Sequence, residues 1–369
     1  MTEPATLPFT DLRPGEDAAA VNAAIRRVVE GGWFVLGPEV EAFETEFAAA
    51  CGAAFAVGVG NGTDAITLAL RALDIGSGDE VIVPALTAAF TGLAVVACGA
   101  RPRIVDVEPE TLTLDPEACA AAVTSRTKAI VPVHLYGQAS DMGAIRRIAD
   151  RHALAIVEDC CQAHLATENG VPVGTRSHAA AFSFYPTKNL GALGDGGAAI
   201  TNDESVAARL RRLRNGGQRD RYRHVEAGVN SRLDELQAAV LRARLPLVPG
   251  WTARRRQLAA QYRAQLPDTV TTIRERDPGH VYHLFPVRLR ARDELSAHLA
   301  RTGIGTLIHY PLPLSAQPAF AVYEPPPCPV ASGAASELLS LPLHPRLADA
   351  DVARVAHDVN AFVKGHSPA

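Results

Sequence analysis

The sequence predicts an α/β fold in which a large, mostly parallel sheet is covered by helices and followed by a smaller C-terminal α+β domain. Two observations support this prediction. From about Phe55 to Thr201, short apolar runs alternate with helical patterns, which is typical of parallel sheets. Beyond Ser231 the pattern changes to longer helical stretches with a single strand candidate. We therefore expect a large domain over residues 1–249 and a small domain over residues 250–369.

The apolar runs of the first region predict the strands. These runs lie at residues 55–59, 80–83, 103–107, 129–134, 154–158, 179–185 and 198–201. In sheets of this kind, ligands bind in the crevice outside the carboxyl ends of the strands. The turns after Val59, after Glu158 and around Lys188 are therefore expected to contribute to one site.

The helices are predicted from their start signals and their apolar periodicity. Between the strands, capping residues mark helix starts at Asp115, Asp141 and 202–204. In the second region, helical stretches cover residues 231–245, 251–266, 292–302 and 349–363. A strand candidate at 282–289 and a proline-rich loop at 311–329 separate them. This mixture predicts the α+β character of the small domain.

Composition and charge exclude several classes of function. The chain has 369 residues and a net charge of −4, with acidic and basic residues interleaved. It therefore has no basic arm of the kind that binds nucleic acid. The sequence opens without a signal-peptide pattern, and no apolar run reaches membrane-spanning length, so we expect a cytoplasmic protein that does not enter a membrane. Its six cysteines lack zinc-ligand spacing, which predicts reduced thiols and no metal site.

A lysine, Lys188, follows the apolar strand that ends near Phe184 and precedes a glycine-rich turn over residues 191–197. Moving an ammonium group out of water is costly or lowers its pKa. A lysine with a lowered pKa is what Schiff-base chemistry requires, because only the neutral amine reacts with a carbonyl. The alternative is a strand-end lysine whose amine reaches solvent while the glycines form a hairpin.

A second glycine-rich turn follows the strand at 55–59 and leads into a helix that starts near Ala65. Backbone N–H groups at a helix start bind anions such as phosphate. Gly58, Gly60 and Gly62 approach a dinucleotide-binding pattern, but the third glycine comes one residue early. A cup for a single phosphate, built from Gly62 and Thr63, fits better. A plain glycine turn is the remaining alternative.

An acidic residue, Asp159, ends the apolar run at 154–158. At the carboxyl edge of a sheet it could pair with a protonated ring nitrogen, or it could be an ordinary turn or capping residue. A phosphate cup, a buried acid and a Schiff-base lysine on one sheet edge meet the requirements of pyridoxal phosphate. One such site explains these three features better than three unrelated ones.

The chain resembles the DegT/DnrJ/EryC1/StrS family of sugar aminotransferases, which belongs to the fold-type I pyridoxal phosphate enzymes. The resemblance covers nearly the whole chain. It is carried by GPEVEAFE at 37–44, NGTDA at 61–65, GDEVIVP at 78–84, ED at 158–159, QAH at 162–164, the lysine segment at 183–197, GVNSRLDELQAA at 228–239 and HYP at 309–311.

The resemblance implies roles for the residues around the cofactor ring. Lys188 would form the Schiff base with pyridoxal phosphate and move protons as general base and acid. Asp159 would pair with the ring nitrogen and keep it protonated. Gln162 would approach the phenolic oxygen of the cofactor.

The same resemblance implies the phosphate contacts and the substrate pocket. The phosphate would be held by Gly62, Thr63, Ser183 and, from the neighbouring subunit, Asn230. The sugar-nucleotide pocket, also across the interface, would be lined by Arg232, His309 and Tyr310. The site therefore implies a homodimer with shared active sites.

The activity implied by the resemblance is transfer of an amino group from glutamate to a keto-sugar nucleotide. The KNLGxxGD pattern at 188–195 and Gln162 resemble enzymes that act at the C3 ketone, which favours a 3-keto-6-deoxyhexose on dTDP. Action at C4, or on a UDP or GDP sugar, remains an alternative. So does a regulatory protein that binds the cofactor without catalysis. Lys188 argues against the related dehydratases, which have histidine there, and a nicotinamide oxidoreductase is a more distant alternative.

One position departs from the family pattern. Ala88 occupies the place where relatives usually carry an aromatic residue stacked on the cofactor ring. We therefore expect either Phe90 or another side chain to cover that face, or a ring that is packed less firmly. Leu165 and Ala166 also replace the usual Gly-Ala pair.

Overall fold

The computed structural model describes residues 6–366. Its α-helices are α1 (Ala18–Gly31), α2 (Pro38–Cys51), α3 (Gly62–Ala72), α4 (Ala89–Ala97), α5 (Pro116–Ala121), α6 (Met142–His152), α7 (Glu204–Leu213), α8 (Glu235–Arg244), α9 (Val248–Gln265), α10 (Arg292–Arg301), α11 (Pro329–Glu337) and α12 (Asp349–His366). Within the described range, none of these helices is long and apolar enough to cross a membrane.

The strands are β1 (Phe55–Val59), β2 (Glu80–Pro84), β3 (Arg101–Val105), β4 (Thr127–Ile130), β5 (Ala155–Asp159), β6 (Thr167–Glu168), β7 (Val171–Pro172), β8 (Ala179–Ser183), β9 (Gly197–Thr201), β10 (Gln218–Asp220), β11 (Arg223–His224), β12 (Thr271–Thr272), β13 (Phe285–Arg288) and β14 (Leu338–Leu341). Seven of them form the central sheet in the order β1-β9-β8-β5-β4-β2-β3. Only β9 runs antiparallel to its neighbours in that sheet. The predicted mostly parallel α/β sheet is therefore confirmed.

The register of the central strands brings together the strand ends that carry the predicted site residues. Gly197 of β9 lies opposite both Val59 of β1 and Ser183 of β8, while Asp159 of β5 lies opposite Ala181. The carboxyl ends of β1, β8 and β5 therefore meet at one edge of the sheet. This is the edge where the sequence predicts a ligand site.

An aromatic cluster fixes β8 against α2. The rings of Phe43 and Phe184 meet edge to face with centroids 5.3 Å apart, and those of Phe47 and Phe182 do so at 5.1 Å. Such pairs contribute about 0.5–1.5 kcal/mol each beyond the area they bury. Since side chains alternate along a strand, packing Phe182 and Phe184 on one face turns Ser183 toward the other.

Helix α3 packs against the central sheet at β8 and β9 and against α4. It is apolar on nearly all sides, and most of its residues are buried, as expected for a helix enclosed by sheet and helices. Its start is set by Asn61, whose side chain accepts a hydrogen bond from the Asp64 N–H at 2.8 Å. The strand β1 and this cap together place the start of α3 at the edge of the sheet.

Three predicted strands are shorter than expected because their ends leave the sheet. The run predicted at 179–185 ends at Ser183. The run predicted at 129–134 ends at Ile130, and Val133 forms only an isolated bridge to Asp159. The strand predicted at 282–289 begins at Phe285. Just before it, the His283 N–H donates to the Tyr136 carbonyl at 2.8 Å, so this stretch lies against a loop of the large domain.

A separate hydrophobic core lies in the C-terminal part of the chain. It is formed by α9, α10 and α12 around the three-stranded sheet β12-β13-β14, with Leu7 from the N-terminal segment packed into it. Helix α11, in contrast, packs into the core of the large sheet. Helix α9 runs through residue 250, and the domain division at that residue stays a prediction.

The start of α2 is tied to α8 through one buried carboxylate. Glu235 is 1% exposed and accepts hydrogen bonds from the backbone N–H groups of Gly37, Glu39 and Val40 at 2.8–2.9 Å. Helix α2 has no side-chain cap of its own at its N-cap, Gly37. Glu235 therefore supplies acceptors for donors that the helix itself cannot satisfy.

We predict that Glu235→Ala destabilises the protein by about 2–4 kcal/mol, because several buried donors lose their acceptor at once. Glu235→Gln keeps one acceptor oxygen and should cost less. Glu41→Ala, on the exposed face of the same helix, is the control. The free energy of unfolding in urea provides the measurement. Equal stability of Glu235→Ala and Glu41→Ala would contradict this account.

Candidate active site

The segment that carries Lys188 is a compact turn after β8. The Lys188 N–H donates to the Tyr185 carbonyl at 2.8 Å, and the Phe184 N–H donates to the Gly196 carbonyl at 2.7 Å. A side chain at Gly191 would lie 2.5 Å from the Pro186 carbonyl oxygen, so only glycine fits there. These contacts hold the lysine at the carboxyl edge of the sheet.

The amine of Lys188 lies in a desolvated place. Burial lowers its pKa below the ordinary value, and the nearby Cys161 and Asp159 oppose that change. The direction agrees with the sequence argument, because a lowered pKa leaves more of the neutral amine at physiological pH.

Asp159 is held by two hydrogen bonds. Asp159 is 4% exposed, and its carboxylate accepts from the Thr91 hydroxyl at 2.8 Å and from the Cys161 N–H at 3.0 Å. Thr91 is in turn 2.9 Å from the Thr87 hydroxyl. The first turn of α4 therefore orients the acid at the end of β5.

The start of α3 faces Ser183 at very short range. A side chain at Gly62 would lie 2.7 Å from Cys161 Sγ and 2.8 Å from Ser183 Cβ. Within the described part of the chain, the N–H groups of Gly62 and Thr63 have no acceptor. Two unsatisfied donors at a helix start, beside a serine hydroxyl, form a cradle for an anion.

Gln162 and Tyr310 meet beside Asp159. Gln162 is 5% exposed, and its side-chain oxygen accepts from the Tyr136 N–H at 2.7 Å. Its amide nitrogen donates to the Tyr310 hydroxyl at 2.8 Å. The Tyr136 hydroxyl donates to the His309 carbonyl at 2.6 Å, which fixes the segment that carries Tyr310.

Three histidines around Lys188 are neutral at physiological pH. Burial, with Lys188 adding to it, lowers the pKa of His164 and of His283, the former to about 3. The same two causes lower the pKa of His309 to about 4. His309 contacts Ser340 Oγ through Nδ1 at 3.0 Å. The site is thus lined by uncharged rings.

The structure therefore brings together seven of the predicted site residues with His309: Lys188, Asp159, Gly62, Thr63, Gln162, Ser183 and Tyr310. Asn230 and Arg232 are different. Asn230 is exposed, and the described hydrogen bonds join neither residue to that group within the same chain; Arg232 contacts Asn215 at 3.4 Å. Phe90, expected as a possible cover for the ring, is 63% exposed.

The sequence analysis missed several residues of the site. Thr91 reaches Asp159 across 68 positions of sequence, and Tyr136 reaches Gln162 across 26. Neither residue lies in a recognisable motif. Each reaches its partner only because the folded chain brings the ends of different strands together. Cys161 lies between two of the motifs that carry the resemblance, and nothing in its spacing indicated that it lies between Asp159 and Gly62.

A buried cluster next to the site has the residue types of a metal centre. His134, Glu158 and Cys160 offer ligand atoms within 4.8 Å of one another. However, His134 Nε2 is hydrogen-bonded to Glu158 Oε2 at 2.8 Å, and His134 Nδ1 accepts from the Ser140 N–H. Both ring nitrogens of His134 are thus engaged in hydrogen bonds. We therefore interpret His134 and Glu158 as a structural pair behind Asp159.

Comparison with known proteins identifies the class. Residues 16–360 match the DegT/DnrJ/EryC1/StrS aminotransferase family, and the chain belongs to that family. The enzymes of this family depend on pyridoxal phosphate, so this protein is a pyridoxal phosphate-dependent aminotransferase.

Individual relatives are similar over nearly their full length. The chain is 50% identical over 365 residues to dTDP-3-amino-3,4,6-trideoxy-α-D-glucose transaminase of Streptomyces venezuelae, covering 97% of this chain and 96% of the relative. It is 46% identical to dTDP-3-amino-3,6-dideoxy-α-D-galactopyranose transaminase of Aneurinibacillus thermoaerophilus, covering 96% and 99%. The crystal structure of S. venezuelae DesV in complex with a ketimine intermediate superposes with a TM-score of 0.95 at 49% identity, covering 97% and 99%.

The residues of this chain fit the family cofactor on their own geometry. The anion cradle formed by Gly62, Thr63 and Ser183 suits a phosphate. The carboxylate of Asp159 suits a protonated ring nitrogen, and the desolvated amine of Lys188 suits an aldehyde.

We predict that Lys188 in the cofactor-free protein titrates below the ordinary lysine pKa of about 10.4, because burial disfavours its charged form. Trace acetylation across pH, read by peptide mass spectrometry, gives the titration curve of each lysine. The chain has two other lysines, Lys128 and Lys364, both exposed, which serve as internal references. Asp159→Asn should lower the Lys188 value further, since Asp159 raises it. A Lys188 curve that coincides with that of Lys128 would refute the prediction.

Proposed function

We propose that this enzyme transfers an amino group from glutamate to a keto-sugar nucleotide, and that its substrate is a 3-keto-6-deoxyhexose on dTDP. The observation that carries the proposal is the meeting of Lys188, Asp159 and the Gly62–Ser183 cradle at one sheet edge. The choice of substrate is supported by two similar relatives whose names describe amination at C3 of dTDP-sugars.

The roles of the residues follow from their surroundings. When bound, pyridoxal phosphate supplies an aldehyde carbon and an electron-accepting ring. Asp159, oriented by Thr91, would hold a proton on the ring nitrogen. Lys188, whose pKa is lowered by desolvation, would accept the α-proton of the amino donor and return a proton at the carbon where nitrogen is exchanged. Gly62, Thr63 and Ser183 would bind the phosphate.

The absence of charge on the three histidine rings of the site would also favour the proton transfer by Lys188. Because His164, His283 and His309 are neutral, they add no positive charge that would compete with Lys188 for protons or with the ring nitrogen for Asp159. We assign His309, with Arg232, to the wall of the sugar-nucleotide pocket.

We infer that the enzyme works as a homodimer in which Asn230 and Arg232 complete the neighbouring site. Asn230 is exposed in its own subunit. Val229, next to it, is 36% exposed, and the segment at 33–35, whose Val35 bridges Asp234, exposes Trp33 at 61% and Phe34 at 48%. A second copy would cover such side chains. We also infer a cytoplasmic setting, supported by six cysteines that are free in the described structure.

The substrate is tested by direct assay. We expect the purified enzyme with pyridoxal phosphate to lose its visible absorption band on addition of glutamate, and then to convert a dTDP-3-keto-6-deoxyhexose into the amino sugar. Products are measured by mass spectrometry, together with 2-oxoglutarate. Lys188→Ala should abolish both steps, whereas Lys128→Ala, an exposed lysine, should retain them. Faster amination of the 4-keto isomer would overturn the C3 assignment. An absorption band that does not respond to glutamate would overturn the assignment of glutamate as the amino donor.

The shared site is tested by complementation. Lys188→Ala removes the nucleophile, and Asn230→Asp places a negative charge where we expect phosphate. Each homodimer should have little activity. In co-expressed mixtures, half of the dimers are mixed and each has one intact site, so activity should recover to about a quarter of wild type. If Asn230 acts within its own subunit, no intact site can form and no activity will return.

A further inference from the structure

The segment that carries Asn230 and Arg232 is anchored through the residue between them. Ser231 is 3% exposed, whereas Asn230 is exposed and Arg232 is half-buried. A bridge pairs Asn230 with Asn215, so this stretch is extended, and successive side chains of an extended backbone point to opposite sides. Ser231 therefore faces the interior of its own subunit, and its two neighbours point away from it.

The Ser231 side chain links this segment to the start of α3. Its hydroxyl donates to Asp64 Oδ2 at 2.6 Å and accepts from the Gly60 N–H at 2.9 Å. Asp64 Oδ2 also accepts from Asn61 Nδ2 at 3.1 Å. Because a serine hydroxyl has one hydrogen to donate, the donor of Ser231 is committed to Asp64.

The link ends beside the anion cradle. Asp64 directly follows Gly62 and Thr63, whose N–H groups face the place expected for a phosphate. A carboxylate this close to a phosphate would repel it. Two side-chain donors, Ser231 and Asn61, engage the Asp64 carboxylate instead. Asp64 is therefore placed to hold Ser231, and not to bind the anion.

The backbone around Ser231 is held by the end of α7. The Ser231 N–H donates to the Arg214 carbonyl at 2.9 Å, and the Val229 N–H donates to the Leu213 carbonyl at 2.8 Å. The Arg214 guanidinium in turn donates to the Gly58 carbonyl of β1 at 2.8 Å. Backbone and side-chain contacts thus tie the same segment to the turn between β1 and α3.

We propose that Ser231 and Asp64 are positioning residues that connect the two sites of the dimer. Their hydrogen bond fixes the segment at 230–232 against the phosphate cradle of its own subunit, and thereby holds Asn230 and Arg232 toward the neighbouring site. The inference rests on the proposed function, because it requires Asn230 to act across the interface. A change at the start of α3 in one subunit then alters the phosphate contact in the other, and the effect is reciprocal.

The test measures the effect of Ser231 across the interface. Mixed dimers are purified through a different affinity tag on each chain. One chain carries Lys188→Ala, so only the other chain can form the visible absorption band with pyridoxal phosphate. Ser231→Ala is placed on the chain with Lys188→Ala. Titration of the cofactor-free dimer should then show binding at the other chain weakened about five- to tenfold, the size of one hydrogen bond.

Two further variants check that the hydrogen bond is the cause. Asp64→Ala, placed on the chain with Lys188→Ala instead of Ser231→Ala, should give the same loss of affinity. Both changes together should weaken binding no more than either alone, because they remove the same hydrogen bond. Ser332→Ala, at an exposed serine on that chain, is the control and should leave the affinity unchanged.

The outcomes separate this inference from the proposed function. Unchanged affinity with Ser231→Ala and with Asp64→Ala on the chain with Lys188→Ala would overturn the connection while leaving the aminotransferase intact. A loss that appears only when Ser231→Ala is on the chain that retains Lys188 would also overturn it, since Ser231 would then act only within its own site. Absence of the absorption band in wild type would instead refute the proposed function.

Discussion

The site depends on a backbone contact between Gly197, at the start of β9, and Asn61, the N-cap of α3. A side chain at Gly197 would lie 2.4 Å from the carbonyl carbon and oxygen of Asn61, so the two backbones touch. Gly197 is also opposite Ser183 in the antiparallel pairing of β8 and β9. This contact brings the start of α3 against Ser183. The anion cradle of Gly62, Thr63 and Ser183 forms at that meeting point.

Much of the central sheet could be predicted because its signals are local. The strand at 55–59 matches β1, and the runs at 154–158 and 198–201 match β5 and β9 within one residue at either end. Lys188, Asp159 and Gly62 could be proposed as one site because each follows a strand, and the carboxyl ends of parallel strands converge. Their assembly at one edge follows from topology, which the pattern of strands and helices already indicates.

The features that the sequence did not predict depend on distant contacts. Helix α2 begins where it does because Glu235, almost two hundred positions away, accepts its N–H groups. The early end of the strand at 129–134 follows from the path of the loop around Tyr136, which must also meet His283. The partners of Asp159 and Gln162 are likewise set by packing. No local pattern encodes such contacts, so only the assembled chain reveals them.

Arginine is the basic residue in almost all of the ion pairs of this protein. Among the ion pairs of the described residues, the basic partner is arginine in all but one, where it is His134. A guanidinium does not form imines, since it stays protonated. A free aldehyde in the cell therefore meets few competing amines on this surface, with Lys128 and Lys364 the only lysines outside the site. Scarcity of lysine thus limits the side-chain amines outside the site with which an aldehyde can react, and it leaves few positions for lysine acylation or ubiquitin attachment.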